Sequence, residues 1–269
     1  KNTIYQHPDF ISYNETLDAI YKEFTTANHA FLNSIDITTK PKAFIKTIAE
    51  DLRTRYANKA LINNYDVYQH LLDYWNTTMK DDVYLLIEEG WVAKTKRIIE
   101  KNKSGKEVDK GWTCDLLPKQ LIIDTYLAQE QQSLQAVEAE LETIQANSTE
   151  LIEEHASEEG LLNEATNDKG SITKTTLSKF IKEIKDNPTE AEALTIANQL
   201  LKLFTKEASL KKDIKTKTTA LDVLCLAQYG KLTEEEVHEL VVDKKWLATL
   251  QATLQTEIDA ISQRLTNRI

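Results

Sequence analysis

Residues 191–229, AEALTIANQLLKLFTKEASLKKDIKTKTTALDVLCLAQY, decide the fold of this chain of 269 residues. Their apolar side chains repeat with the a and d spacing of a heptad. These seam positions are Leu200, Leu203, Leu210, Ile214, Leu221 and Leu224. The pattern predicts one long helix of roughly 60 Å, because an α-helix rises about 1.5 Å per residue.

A second stretch, residues 116–155, has a seam of the same kind and the opposite charge. Its seam positions are Leu127, Leu134, Val137, Leu141, Ile144 and Leu151. Residues 130–158 contain eight Glu and no Lys or Arg, whereas residues 202–217 contain six Lys against two acidic residues. We therefore predict an antiparallel two-helix coiled-coil arm, with Glu138 near Lys211 and Glu140 near Lys206.

The chain before this arm is predicted to be a helical domain, residues 1–115, that includes a small β element and a basic loop. Pro41 suits the first turn of one helix and Asn64 the N-cap of another. Residues 83–87 (VYLLI) are β-rich and short, so they are predicted to be a strand of a small hairpin. Residues 112–114 are predicted to return as a strand.

The second predicted domain, residues 116–269, contains the arm, an inserted short helix and C-terminal helices. Ser171 is the expected N-cap of the inserted helix. Thr233 and Glu236 have the spacing of a capping box, and Asp243 is the expected N-cap of the last helix. The expected fold class is therefore mainly α, with a small β-hairpin, the coiled-coil arm and C-terminal helices.

Composition excludes several function classes. The net charge of −10 excludes a chain that binds polyanions over its whole surface, so any contact with nucleic acid must be local. Cys114 and Cys225 lie in no motif, which favours a reducing, cytoplasmic location. No apolar run approaches the roughly 18–20 residues that span a bilayer. The chain begins without Met and ends inside a helical pattern, so we expect a fragment of a larger bacterial protein.

The sequence predicts no catalytic, cofactor-binding or metal-binding residue. The six Gly form no G-x-G turn that would bind a phosphate group or a dinucleotide. The five His have no His or Cys at the spacing of zinc ligands. Asp81 and Asp82 are adjacent carboxylates, which we interpret as the end of a helix rather than as an acid–base site.

Residues 94–110 form a basic segment with a net charge of +4 and an exposed loop at its centre, NKSGK at 102–106. One interpretation is contact with DNA phosphates, and the other is a solvated loop between two tryptophans. Under the first interpretation the candidate residues are Lys94, Lys96, Arg97, Lys101, Lys103 and Lys106.

Apolar residues outside the seams are candidates for docking a partner protein. The set comprises Ile123, Tyr126, Ile152 and Phe204 near the arm, and Leu250, Leu254, Ile258 and Ile261 on the last helix. The alternative for the last helix is a role in the protein's own core.

Several runs together resemble the C-terminal region of the modification (DNA adenine-N6 methyltransferase) subunit of type I restriction–modification systems. The resemblance extends from about residue 38 to the end of the chain. The runs are TKPKA at 39–43, NYDVYQHLLDYW at 64–75, MKDDVY at 79–84, KGWTCDLLPK at 110–119, EEH at 153–155, LVVDKKWLATL at 240–250 and SQRLT at 262–266.

This resemblance implies a subunit that transfers a methyl group from S-adenosylmethionine to adenine N6 in DNA, within a complex. The implied partners are the specificity subunit and the restriction (motor-nuclease) subunit. The family's chemistry needs a glycine-rich cofactor loop and an Asn-Pro-Pro-aromatic motif, and this chain has neither, because Asn187-Pro188 is followed by Thr189. We therefore expect a non-catalytic region that docks on the specificity subunit or on a second copy of itself. The alternative is a coiled-coil scaffold unrelated to methylation.

Overall fold

The computed structural model describes residues 6–157, 159–167 and 169–266, with the side chains described through Arg264. It is mainly helical, with a small two-stranded antiparallel sheet, as predicted. The chain divides into two compact units: residues 1–122 together with 227–269 form unit 1, and residues 123–226 form unit 2. This division differs from the predicted domain boundary at residue 115, because the C-terminal helices pack with the N-terminal helices.

Unit 1 begins with helix α1, Pro8–Leu32, and helix α2, Pro41–Arg55. Proline occupies the first turn of both helices, where a missing N–H breaks no intrahelical hydrogen bond. The predicted start of α2 at Pro41 is confirmed. Helix α3, Asn64–Tyr74, is capped by Asn63, whose side chain accepts from the Tyr65 N–H, so its N-cap lies one residue before the predicted one.

The predicted strand at residues 83–87 is wrong. These residues lie in helix α4, Lys80–Glu89, which continues from α3 through a π-helical segment, Trp75–Met79. The buried apolar residues run at a spacing of four before the last step: Val67, Leu71, Trp75, Met79, Val83 and Leu86. A spacing of four drifts around an ordinary helix, and the wider π turn keeps these side chains on one face.

The sheet is a hairpin of strands β1, Thr95–Lys101, and β2, Glu107–Cys114. Pairing runs from Thr95 opposite Cys114 to Lys101 opposite Glu107, with an irregularity between Arg97 and Ile99. The predicted strand at residues 112–114 is confirmed, and the predicted exposed loop at 102–106 is the connection between the strands.

The long helices contribute most of unit 2. The prediction of one long helix over residues 116–155 is wrong, because the chain forms two helices there, α5, Lys119–Tyr126, and α6, Ala128–His155, separated at Leu127, whose backbone is not helical. Helix α8 spans Ala191–Tyr229, as the heptad pattern predicted. Between them lies helix α7, Lys174–Ile184, whose capping box is formed by Thr173 and Thr176 rather than by Ser171.

Helices α6 and α8 contact each other in opposite directions. Lys217 Nζ donates to Ser133 Oγ at 2.7 Å near one end, and Gln145 Nε2 donates to Glu207 Oε1 at 3.0 Å further along. The predicted pair of Lys206 with Glu140 is confirmed at 2.5 Å. The predicted pair of Lys211 with Glu138 is wrong, because Lys211 binds Glu207 one turn away on its own helix at 2.6 Å.

Burial follows most of the predicted seam. Leu134, Ile144, Leu200, Leu210 and Leu221 are buried, and further seam residues are half-buried. Leu224 is the exception, since its side chain is 44% exposed. A heptad count assigns it to the seam, but neighbouring Cys225 is the buried position there.

The C-terminal helices complete unit 1. Helix α9, Glu234–His238, begins with the predicted capping box of Thr233 and Glu236. Asp243 does not cap a new helix, because it lies inside a second π-helical segment, Glu239–Leu247, that runs directly into helix α10, Ala248–Thr266. Helix α10 packs against α3.

Candidate nucleic-acid interface and docking surfaces

The tip of the hairpin is a pre-ordered loop organised by one side chain. Asn102 Oδ1 accepts hydrogen bonds from the Ser104 N–H at 3.0 Å, the Ser104 hydroxyl at 2.7 Å and the Lys106 N–H at 3.0 Å. Gly105 has φ +77°, a left-handed backbone conformation that favours glycine at this turn. The loop therefore holds its lysines on a defined backbone.

The cations near the base of the hairpin are neutralised by acidic neighbours. Lys94 pairs with Glu89 at 3.2 Å, Lys96 pairs with Asp115 at 2.5 Å, and Arg97 pairs with Asp109 across the strands. The pKa of Asp109 is lowered by the Gly111 N–H and then by the Arg97 guanidinium. Three of the six predicted phosphate contacts are thus already paired within the protein.

The cations at the tip of the hairpin differ from those at its base in their ion pairing. Within the part of the chain that the structure describes, Lys101, Lys103 and Lys106 have no carboxylate within the 4.0 Å of a salt bridge, and all three are exposed. Glu107 lies opposite Lys101 in the strand register without forming such a pair. The structure therefore divides the predicted basic set into a paired base and an unpaired tip.

The base of the hairpin is held in the core of unit 1 by Trp112, which is 3% exposed. Its ring meets the Tyr229 ring edge-on at 5.2 Å, and Lys119 Nζ lies 3.7 Å from its centroid. The Tyr229 hydroxyl donates to the Leu117 carbonyl at 2.7 Å. Burial raises the pKa of the neighbouring Cys114 thiol, which favours an unreactive side chain.

Sequence reasoning missed a buried polar cluster below the hairpin. Lys245 Nζ binds both oxygens of Asp82, at 2.6 and 2.8 Å, and donates to the Leu116 carbonyl at 2.6 Å. Trp246 Nε1 donates at 2.8 Å to Asp82 Oδ2, the oxygen that lies 2.6 Å from Lys245 Nζ. Burial raises the pKa of Asp82, and the Lys245 and Trp246 donors oppose that rise. The only signal in the sequence was a pair of lysines within an apolar run at 240–250.

The structure buries four of the eight predicted docking residues and leaves the other four half-buried. Leu250, Leu254, Ile258 and Ile261 are only 3–5% exposed, so the structure places that stripe in the protein's own core rather than on a docking surface. The reason is that α10 packs against α3.

In unit 2, Ile152 and Phe204 pack against the buried cluster of α7 and the start of α8, while Ile123 and Tyr126 are half-buried. The cluster that includes helix α7 therefore covers Ile152 and Phe204, two of the four residues near the arm that were predicted to dock a partner.

An exposed face of α8 was not predicted. Val223 is 61% and Leu224 44% exposed, and they line one shallow surface with Lys212, Lys215 and Ala220. Neither lysine has an acidic partner among the described residues. This face combines apolar area with unpaired positive charge.

Among residues 6–157, 159–167 and 169–266, no group of three or more His, Cys, Asp or Glu side chains is arranged to hold a metal ion. None of the helices in these ranges combines the length and the apolar character that crossing a bilayer requires. Cys114 and Cys225 are both free thiols and both buried.

No family model, curated protein or solved structure matches the chain.

Proposed function

We propose that this chain is the non-catalytic C-terminal part of the modification subunit of a type I restriction–modification system. In this proposal α6 and α8 form a coiled-coil arm that docks on the specificity subunit and so supports adenine-N6 methylation by the assembled complex. S-adenosylmethionine would bind elsewhere in the full-length subunit. The motor-nuclease subunit would join the same assembly.

The observation that carries the proposal is the convergence of four separate runs that resemble the family. Asp82 lies in the run at 79–84, Leu116 in the run at 110–119 and Lys245 in the run at 240–250, and all three meet in the buried polar cluster. The run at 64–75 joins them, because the Tyr74 hydroxyl donates to the Lys245 carbonyl at 3.3 Å. Runs that share one buried network have a structural reason to be distinctive, which suits a region without catalytic residues.

The exposed face of α8 is the surface we assign to docking. Its apolar end, Val223 and Leu224, offers area to bury, and Lys212 and Lys215 favour an acidic helical partner. The specificity subunits of this family contain helical spacers, which are suitable partners for such a face.

The test is co-purification of the full-length modification subunit with the specificity subunit encoded beside it. We expect a stable complex at micromolar concentrations, and the double variant Val223→Ser/Leu224→Ser should weaken it by about tenfold, roughly 1.4 kcal/mol. The matched control is Ile37→Ser, because Ile37 is 83% exposed in unit 1. The control should bind as the wild type does.

Absence of association between the wild-type subunits at micromolar concentrations contradicts the proposal. Equal losses in the double variant and the Ile37→Ser control would remove the α8 face as the docking surface. Stable association with a protein from outside the system, together with no effect on methylation, would instead favour a scaffold unrelated to methylation.

A further inference from the structure

We infer that the tip of the β1–β2 hairpin is a binding site for the phosphate backbone of duplex DNA, with Lys101, Lys103 and Lys106 as the contacting side chains. This inference follows from the hairpin itself. It does not depend on the docking of the α8 face or on the resemblance to a methyltransferase subunit.

The first step is the distribution of charge along the hairpin. The base cations are paired with Glu89, Asp109 and Asp115, so they offer little attraction to an external anion. Residues 101–106 carry three Lys and no acidic residue, and these lysines are exposed and unpaired among the described residues. In a chain with a net charge of −10, this concentrates positive potential at one end of a narrow ribbon.

The second step is the order of the tip. The hydrogen bonds of Asn102 and the left-handed Gly105 fix the loop backbone before any ligand arrives. Trp112 anchors the strand that returns from the loop in the core of unit 1. A pre-ordered loop on a fixed base loses less conformational entropy on binding than a flexible lysine-rich tail does.

The third step is the identity of the polyanion. A two-stranded ribbon fits the major groove of B-form DNA, whereas the major groove of A-form RNA is too deep and narrow for side chains to enter. Lys side chains are among the usual donors to DNA phosphates, and the tip presents three of them, whereas the Ser104 hydroxyl and the Ser104 and Lys106 N–H groups already donate to Asn102 Oδ1 and order the loop.

A lipid bilayer or a protein partner fits the tip less well than DNA does. Residues 102–106 contain no large apolar side chain, so the tip has nothing to insert into a lipid bilayer. The tip also lacks the aromatic or Arg anchor that dominates binding at protein–protein interfaces.

The experiment measures binding of the full 269-residue chain to a labelled duplex of about 30 base pairs by fluorescence anisotropy, across a series of NaCl concentrations. The test variant is Lys101→Gln/Lys103→Gln/Lys106→Gln. The matched control, Lys80→Gln/Lys182→Gln/Lys202→Gln, removes the same charge from exposed, unpaired lysines of α4, α7 and α8 that lie outside the docking face. Circular dichroism melting establishes that both variants remain folded.

We expect the tip variant to bind duplex DNA about tenfold or more weakly at about 50 mM NaCl, with the control within about threefold of the wild type. The slope of log K against log[NaCl] should fall by about 2–3 in the tip variant, since each lost phosphate contact removes about 0.9. The tip variant should still co-purify with the specificity subunit, which separates failure of this inference from failure of the docking proposal.

Three results would overturn the inference. One is a wild-type chain that does not bind the duplex at about 100 µM and low salt. A second is an equal loss in the tip and control variants, which would assign binding to net charge rather than to the tip. The third is tip-dependent binding to vesicles containing phosphatidylserine without binding to DNA.

Discussion

Lys245 and Asp82 form a buried ion pair between residues that lie 163 positions apart in the chain. Their side chains are only 11% and 6% exposed, and the same ammonium group also binds the Leu116 carbonyl. The pair therefore joins helix α4, the segment after the hairpin and the second π-helical segment.

We expect Lys245→Met to lower the free energy of unfolding by about 3–5 kcal/mol, because it leaves the Asp82 carboxylate buried without its cation. Urea denaturation measures the change. The double variant Asp82→Leu/Lys245→Met should be less destabilised than the sum of the single variants. The control, Lys96→Gln, breaks an exposed pair with Asp115 and should cost about 0–1 kcal/mol. Additive single variants would contradict the assignment of a coupled pair.

The stability of unit 2 should depend on burial along α8 rather than on the heptad count. Leu200→Ala removes a side chain that is 0% exposed, and we expect a loss of about 2–5 kcal/mol. Leu224→Ala, on the same helix and on the predicted seam, should cost no more than about 0.5 kcal/mol, because that side chain is 44% exposed. Denaturant unfolding of the two variants provides the comparison. Equal losses in the free energy of unfolding would show that Leu224 belongs to the buried seam.

The cross-helix charges should contribute little. Lys206 and Glu140 are 53% and 44% exposed, so Lys206→Glu should reduce the free energy of unfolding by less than about 1 kcal/mol. The exchanged pair Glu140→Lys/Lys206→Glu should recover most of that loss at low salt. A thermal melt at low and high NaCl is the measurement. A loss well above this limit would show that these charges stabilise the helix pair.

His238 should make stability fall as the pH is lowered. Its ring stacks on Trp91 with centroids 3.7 Å apart, and its Nδ1 lies 2.7 Å from Asn33 Oδ1. Burial lowers the pKa of His238 below its ordinary value of 6.5, and nearby Glu234 only partly opposes this shift. Since the unfolded chain then binds more protons, stability is full above about pH 6.5 and is lost as the pH falls towards the folded-state pKa.

The measurement is the melting temperature between about pH 7.5 and 5.5, a range that brackets the ordinary pKa of histidine. His238→Gln should flatten this dependence. A wild-type profile that His238→Gln leaves unchanged would contradict the assignment.

Local patterns predicted those parts of the fold that depend on local physics. The bounds of α8 followed from uninterrupted periodicity, and the Thr233 capping box followed from a spacing of three residues. The prediction of a strand at residues 83–87 was wrong because the π turn at Trp75–Met79 accommodates the extra residue that interrupts the helical period. Asp243 failed as a cap for the same reason.

The candidate site was only partly predictable. The basic segment and its exposed loop were visible as composition. Which cations remain free was not, because the pairing of Arg97 with Asp109 depends on the register across the strands. The Asp82 cluster depends on a contact between distant parts of the chain, and one sequence carries no signal for such a contact.

The discontinuity of unit 1 has a consequence for the order in which the protein is made. At about 5–20 residues per second, a ribosome adds Lys245 roughly 8–33 s after Asp82. For that interval the nascent N-terminal helices lack their C-terminal packing partners, and their apolar faces remain available to chaperones. Completion of this unit therefore has to wait until the whole of residues 123–226 has been synthesised.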